Sequence, residues 1–160
     1  MFTEVFSHIH PIMVHFPIAI IFIATIYDLI MAITKRKFSP KKGLWLWVLA
    51  FLSAWVAVLT GPDEDARGNT NIFHTHENLA HITTILSLLV LAVRIFFMVK
   101  KKDFLRFSLV IYCVVSLICL GGVLATGYYG GKMVYDQGVG VKMSGKYVNP
   151  PKQGKFDQGD

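Results

Sequence analysis

The sequence predicts an all-α integral membrane protein: a four-helix bundle built from two parallel helical-hairpin repeats, with a pseudo-two-fold axis along the membrane normal. Three observations predict it. The 160-residue chain is 54% hydrophobic and only 16% charged, too apolar for a soluble domain of that size. Four apolar stretches, about residues 11–33, 44–60, 79–99 and 105–128, each approach the ~20 residues that a helix needs to cross the hydrocarbon core. The chain also repeats itself at one ungapped offset.

The first stretch reads as a retained helix. Residues 1–10 carry no Lys or Arg, and the apolar run is too long for a typical signal segment. Pro11 suits a first helical turn, where its missing amide hydrogen costs nothing. Pro17 is placed to bend the helix just below His15. The loop after it holds Lys35, Arg36, Lys37, Lys41 and Lys42. The second stretch ends at Thr60-Gly61, and the 61–78 loop holds Arg67 against Asp63, Glu64, Asp65 and Glu77. After the third stretch, Lys100, Lys101, Lys102 and Arg106 form a second basic turn. Lys and Arg in short loops favour the cytoplasmic side, so both termini and all six histidines are expected outside. The two basic loops also account for the net charge of +6 without any nucleic-acid partner. The domain organisation expected is a membrane domain over 1–131, with repeats 8–61 and 74–127, and an extracytoplasmic tail over 132–160. That tail is rich in Gly, Lys and Pro and lacks hydrophobic periodicity, so it cannot build a core of its own.

The repeat is carried by polar positions, which are scarce in such helices. "HIHPIMVH" (8–15) and "HTHENLAH" (74–81) place His8, His10 and His15 on His74, His76 and His81. Lys35 and Phe38 fall on Lys101 and Phe104, Thr60-Gly61 on Thr126-Gly127, and Asp28 on Arg94. Each half crosses twice, so the halves are parallel and the first and third helices face each other. Asp28 and Arg94, at equal depth with opposite charge, are expected to pair, because an ionisable group at that depth needs a partner or a task.

The histidines carry the functional expectation. His15 and His81, about one turn into facing helices, are expected to ligate the iron of a haem b from both sides. Gly121, Gly122, Thr126 and Gly127 either let the macrocycle approach the backbone or serve as close helix contacts, the commoner membrane use of small residues. Arg67 and Lys132 are placed to meet propionates. His8, His10, His74 and His76 form an outer layer that tunes this site or holds a separate ion. The rival reading is a Cu, Zn or non-haem Fe cluster of all six histidines, since imidazole suits each metal. A third is a cofactor-free structural subunit of a membrane respiratory assembly, in which interfacial histidines only cap helices and contact head groups.

Cys113 and Cys119, six residues apart on one helix, do not suit a disulfide and are expected to be small packing residues. Trp45, Trp47, Tyr27, Tyr128 and Tyr129 are expected in an interfacial belt. No nucleophile with an adjacent base, phosphate-binding glycine loop or carboxylate pair occurs, so stand-alone catalysis is not expected and any reaction would come from a cofactor. The chain is read as a redox carrier or a subunit of an oxidoreductase complex.

"HPIMVHFPIAI" (10–20) and "GGKMVYDQGVGV" (130–141) resemble the opening and closing signatures of a bacterial family of small four-helix membrane proteins, catalogued as domain of unknown function 2231. His10, Pro11, His15, Phe16 and Pro17 match the first signature; Gly130, Gly131, Val134, Tyr135, Gly138 and Gly140 match the second. The resemblance implies a four-helix bundle in the bacterial inner membrane. It also implies company with electron-transfer proteins, so the expected partners are a quinone or an extracytoplasmic cytochrome or iron-sulfur protein, within a homo-oligomer or a larger complex. It brings no catalytic residues.

Overall fold

The computed structural model describes residues 9–35, 37–61 and 70–149. Its helices are α1 (Ile9–Met13), α2 (His15–Lys35), α3 (Leu44–Leu59), α4 (Thr70–Val99) and α5 (Arg106–Tyr135). Two short antiparallel pairs join them: β1 (Lys37–Phe38) with β2 (Phe104–Leu105), and β3 (Lys142–Met143) with β4 (Lys146–Tyr147). The protein is thus mostly helical. Three stretches, Ile9–Lys35, Asn71–Val99 and Arg106–Tyr135, are long and apolar enough to cross a membrane. At 16 residues, α3 rises only about 24 Å against a hydrocarbon thickness of ~30 Å.

α1 and α2 are one helix interrupted at Val14. Pro17 explains the break: it offers no amide to the carbonyl four residues back, on Met13, and its ring crowds that turn. α3 starts at Gly43, whose left-handed φ of +72° and contact with Tyr27 both require glycine. A Cβ there would lie 2.7 Å from Tyr27 Cε1.

Two helices outrun the expected apolar spans. α4 begins at Thr70, with polar turns in which His74 and Glu77 pair at 3.6 Å. α5 runs on to Tyr135 through Gly130 and Gly131, residues that lower helix propensity but here allow close packing. The chain after α5 makes the β3–β4 hairpin, preceded by positive-φ turns at Gly138 and Gly140.

Each long helix packs against two others, α2 and α4 each touching both α3 and α5. The buried core includes Ile21, Ala24, Leu46, Trp47, Ala50, Val90, Leu109, Cys119 and Val123. Small residues bring the helices close: a Cβ on Gly122 would come within 2.7 Å of Thr83 Oγ1. The outward faces carry Phe22, Ile23, Ile30, Trp55, Ile85, Phe96, Val110 and Ile118, all exposed. A surface so apolar is stable only in lipid.

Three pairs of residues 66 apart meet in space. His10 and His76 have ring centroids 6.4 Å apart. Asp28 and Arg94 form an ion pair at 2.7 Å. Phe38 and Phe104 are partners in the β1–β2 ladder. The first pair lies at the histidine end of the helices and the last at the basic end.

Candidate functional site

The histidine end is built from α1, α3, α4 and α5. His10, half-buried, donates Nδ1–H to the carbonyl of Ala57 in the last turn of α3, at 3.0 Å. His76 donates Nδ1–H to the carbonyl of Thr126 in α5, at 2.9 Å. A carbonyl only accepts, so each neutral ring keeps its lone pair on Nε2. Both rings sit where a glycine follows the acceptor by four residues. A Cβ on Gly130 would lie 3.1 Å from His76 Cε1, and one on Gly61 would lie 3.9 Å from His10 Cε1. Without a side chain at Gly130, the His76 ring reaches a mid-helix carbonyl.

The ring planes cross at 88°.

His15 and His81, the expected inner pair, are both exposed. His15 Nδ1 donates to the carbonyl of Pro11 at 2.6 Å, within its own helix. Residues five apart on a helix point about 140° apart, so when His10 and His76 turn toward the interface, His15 and His81 turn away from it. His74 is exposed beside Glu77. Among the described residues, no three His, Cys, Asp or Glu side chains gather in a metal-sized group. His8 and Arg67 lie outside the described residues. Lys132 rests over the ring of Tyr128, 5.7 Å from its centroid.

Gly122 and Gly127 sit at helix contacts, and Gly121 does not. A Cβ on Gly122 would crowd Thr83 and one on Gly127 would lie 3.6 Å from Ile18 Cδ1, while one on Gly121 would meet nothing within 4 Å. Thr126 donates to the carbonyl of Gly122 at 2.8 Å. Cys119 is buried and Cys113 partly so, both as free thiols.

Toward the basic end lies a second polar cluster, with one residue from each of the four long helices. Asp28 (α2) and Arg94 (α4) are 1% and 0% exposed. Asp28 Oδ2 accepts from Arg94 Nη1 and from Trp47 Nε1 (α3), both at 2.7 Å. It also accepts from the hydroxyl of Tyr112 (α5), which itself accepts from Arg94 Nη1 at 2.7 Å. Arg94 Nε donates to the carbonyl of Pro40 at 3.2 Å, and Nη2 to that of Lys42. The guanidinium lies 4.9 Å from the ring centroid of Phe38. Phe38, Phe97, Phe104 and Tyr112 stack around it. Asp28 Oδ1 is buried and accepts no bond from the described residues.

The expected Asp28–Arg94 pair is therefore present. Sequence reasoning missed its other two members. Trp47 was assigned to the interfacial belt but is fully buried, because its indole N–H is the donor that Asp28 needs. The signal lay in depth: Asp28 and Trp47 lie within about two helical turns of the same basic loop, on either side of it. Trp45 and Tyr128 are exposed, as a belt requires.

A family model described as "Predicted membrane protein (DUF2231)" matches residues 7–143. The chain belongs to this family. Membership agrees with the apolar helices and covers both the histidine pair and the buried ion pair. No curated protein and no solved structure matches the chain, so this DUF2231 protein takes its functional reading from its own geometry.

Proposed function

We propose that this protein is a membrane electron carrier, with His10 and His76 as the two axial ligands of one haem near the histidine end. The observation that carries the reading is the neighbouring imidazole pair, with ring centroids 6.4 Å apart and each ring anchored through Nδ1–H to a backbone carbonyl. Ligating histidines commonly have this support, which fixes the tautomer and orients the ring. The donor set favours haem over a bare ion. Two imidazoles are too few for a closed tetrahedral site, whereas a haem brings its own four equatorial nitrogens and asks the protein for two ligands. When bound, it would supply one-electron chemistry. The protein's residues orient the rings, exclude bulk water and set the local polarity.

The three pairs at spacing 66 support a bundle of two like-oriented helix pairs about a pseudo-two-fold axis, with α3 completing the bundle despite its length. The basic loops support a cytoplasmic setting for the opposite end of the helices. The bacterial inner membrane is then the setting, with the haem and both termini extracytoplasmic and a quinone or an extracytoplasmic redox protein as exchange partner. The test is a visible spectrum of the purified protein, oxidised and then reduced. A low-spin bis-histidine spectrum that survives His15→Ala and His81→Ala but is lost in His10→Ala and in His76→Ala supports the assignment. A spectrum lost only in the His15 and His81 variants moves the ligands back to that pair. A colourless protein with stoichiometric copper, zinc or iron favours a metal-ion site.

A further inference from the structure

α4 and α5 do not close along their whole length. At the basic end they leave a cleft of about 240 Å³ between them, walled by Val90, Val93 and Phe97 on one helix and Ile111 and Val115 on the other, with Phe104 of the connecting turn also lining it. From Val90 to Phe97, and from Ser108 to Val115, the walls run seven residues, roughly 10 Å along each helix. That is about two thirds of one leaflet of a ~30 Å core. Both walls belong to stretches apolar enough to cross a membrane, so the cleft opens sideways to hydrocarbon. Its lining is almost entirely apolar, since Tyr112 directs its hydroxyl away into the Asp28 cluster.

The turn that joins these two helices lies at the mouth of the cleft. Lys100, Lys101, Lys102 and Arg106 are exposed there, with half-buried Asp103 as the local counter-charge. Lys100 lies over the ring of Phe96. Lys101, Lys102 and Arg106 make no ion pair among the described residues. β1–β2 pairing brings Lys37 across from Leu105, adding a further cation. A hydrocarbon groove about 10 Å long that ends in a cluster of exposed cations matches one molecule end to end.

We propose that the α4–α5 cleft is a binding site for an anionic phospholipid, with an acyl chain in the groove and the phosphate at Lys101, Lys102 and Arg106. A zwitterionic lipid would satisfy the groove but not the charge; a free phosphate would satisfy the charge alone. The site is independent of the histidine pair, so the two assignments fail separately.

The experiment uses the full chain in detergent, titrated with phosphatidylglycerol, phosphatidylcholine or inorganic phosphate, with native mass spectrometry and thermal stability as readouts. One phosphatidylglycerol is expected to bind with preference over phosphatidylcholine, and inorganic phosphate is expected neither to bind nor to raise the melting temperature. Replacing Lys101, Lys102 and Arg106 by Gln should weaken phosphatidylglycerol binding by about fivefold per cation removed and leave phosphatidylcholine binding unchanged. Ile111→Trp fills the cleft from its half-exposed rim and should abolish retention of phosphatidylglycerol without loss of helicity. If that variant unfolds, Val115→Phe from the opposite end serves the same purpose. Equal retention of both lipids by the wild type, or undiminished phosphatidylglycerol binding in the filled-cleft and charge-removed variants, would overturn the site.

Discussion

Removing the guanidinium of Arg94 should be among the most damaging single changes to this protein. In Arg94→Ala, Asp28, 1% exposed, loses its one counter-ion among the described residues. Two donors remain, Trp47 Nε1 and the Tyr112 hydroxyl, which are neutral. The carbonyls of Pro40 and Lys42 lose their partner as well, which frees the loop between α2 and α3. Breaking a buried ion pair by deleting one member costs about 3–5 kcal/mol, and in a chain of this size that corresponds to roughly 10 °C or more in melting temperature. Asp28→Asn should cost a similar amount, because it strands the arginine charge instead. The double variant should cost less than the sum of the two, with a coupling of at least ~2 kcal/mol in the cycle. The assay is thermal or denaturant unfolding in detergent micelles, followed by circular dichroism. Additive losses, or a shift below about 1 kcal/mol for Arg94→Ala, would refute the account of this cluster as a mutually dependent unit.

Trp47→Phe keeps most of the ring packing but deletes one donor to a charged acceptor, and is expected to cost about 1.5–3 kcal/mol; Tyr112→Phe should fall in the same range by the same unfolding assay. Gly122→Ala drives a methyl to within 2.7 Å of Thr83 Oγ1 and should destabilise by about 1–3 kcal/mol. Gly121→Ala, with nothing within 4 Å, should be neutral or stabilising through helix propensity. Gly130→Ala places a methyl 3.3 Å from His76 Nδ1, so it should disturb the His76 ring and any visible spectrum. Gly131→Ala, whose nearest neighbour is Tyr135 Cδ2 at 3.9 Å, should leave that spectrum unchanged.

Much of this architecture is legible in the sequence because a membrane helix has few polar residues, and each one must be matched. The spacing of 66 between Asp28 and Arg94 predicts their meeting, and the structure has it. The same spacing predicts that histidines meet, but cannot say which. That choice depends on helix phase: residues five apart point about 140° apart, so only one of each pair can turn inward, and it is His10 and His76 that do. The burial of Trp47 was hidden because indole suits an interface and a buried donor equally well, and only the neighbouring carboxylate decides between them. The true lengths of α4 and α5 were hidden for a related reason. Hydropathy marks where lipid ends, while Gly130 and Gly131 look like a stop until His76 is seen packed on the first of them.

The spectrum and its variants establish whether haem is bound, but the ring geometry offers a more direct measurement. If His10 and His76 held a haem with their rings crossed as they are here, at 88°, the iron would be nearly axially symmetric. Electron paramagnetic resonance of the oxidised, purified protein should therefore give a highly anisotropic low-spin signal, which is lost in His10→Ala and in His76→Ala. A rhombic low-spin signal of the kind given by parallel imidazoles, unchanged in those two variants, would contradict the assignment of His10 and His76 as the ligands.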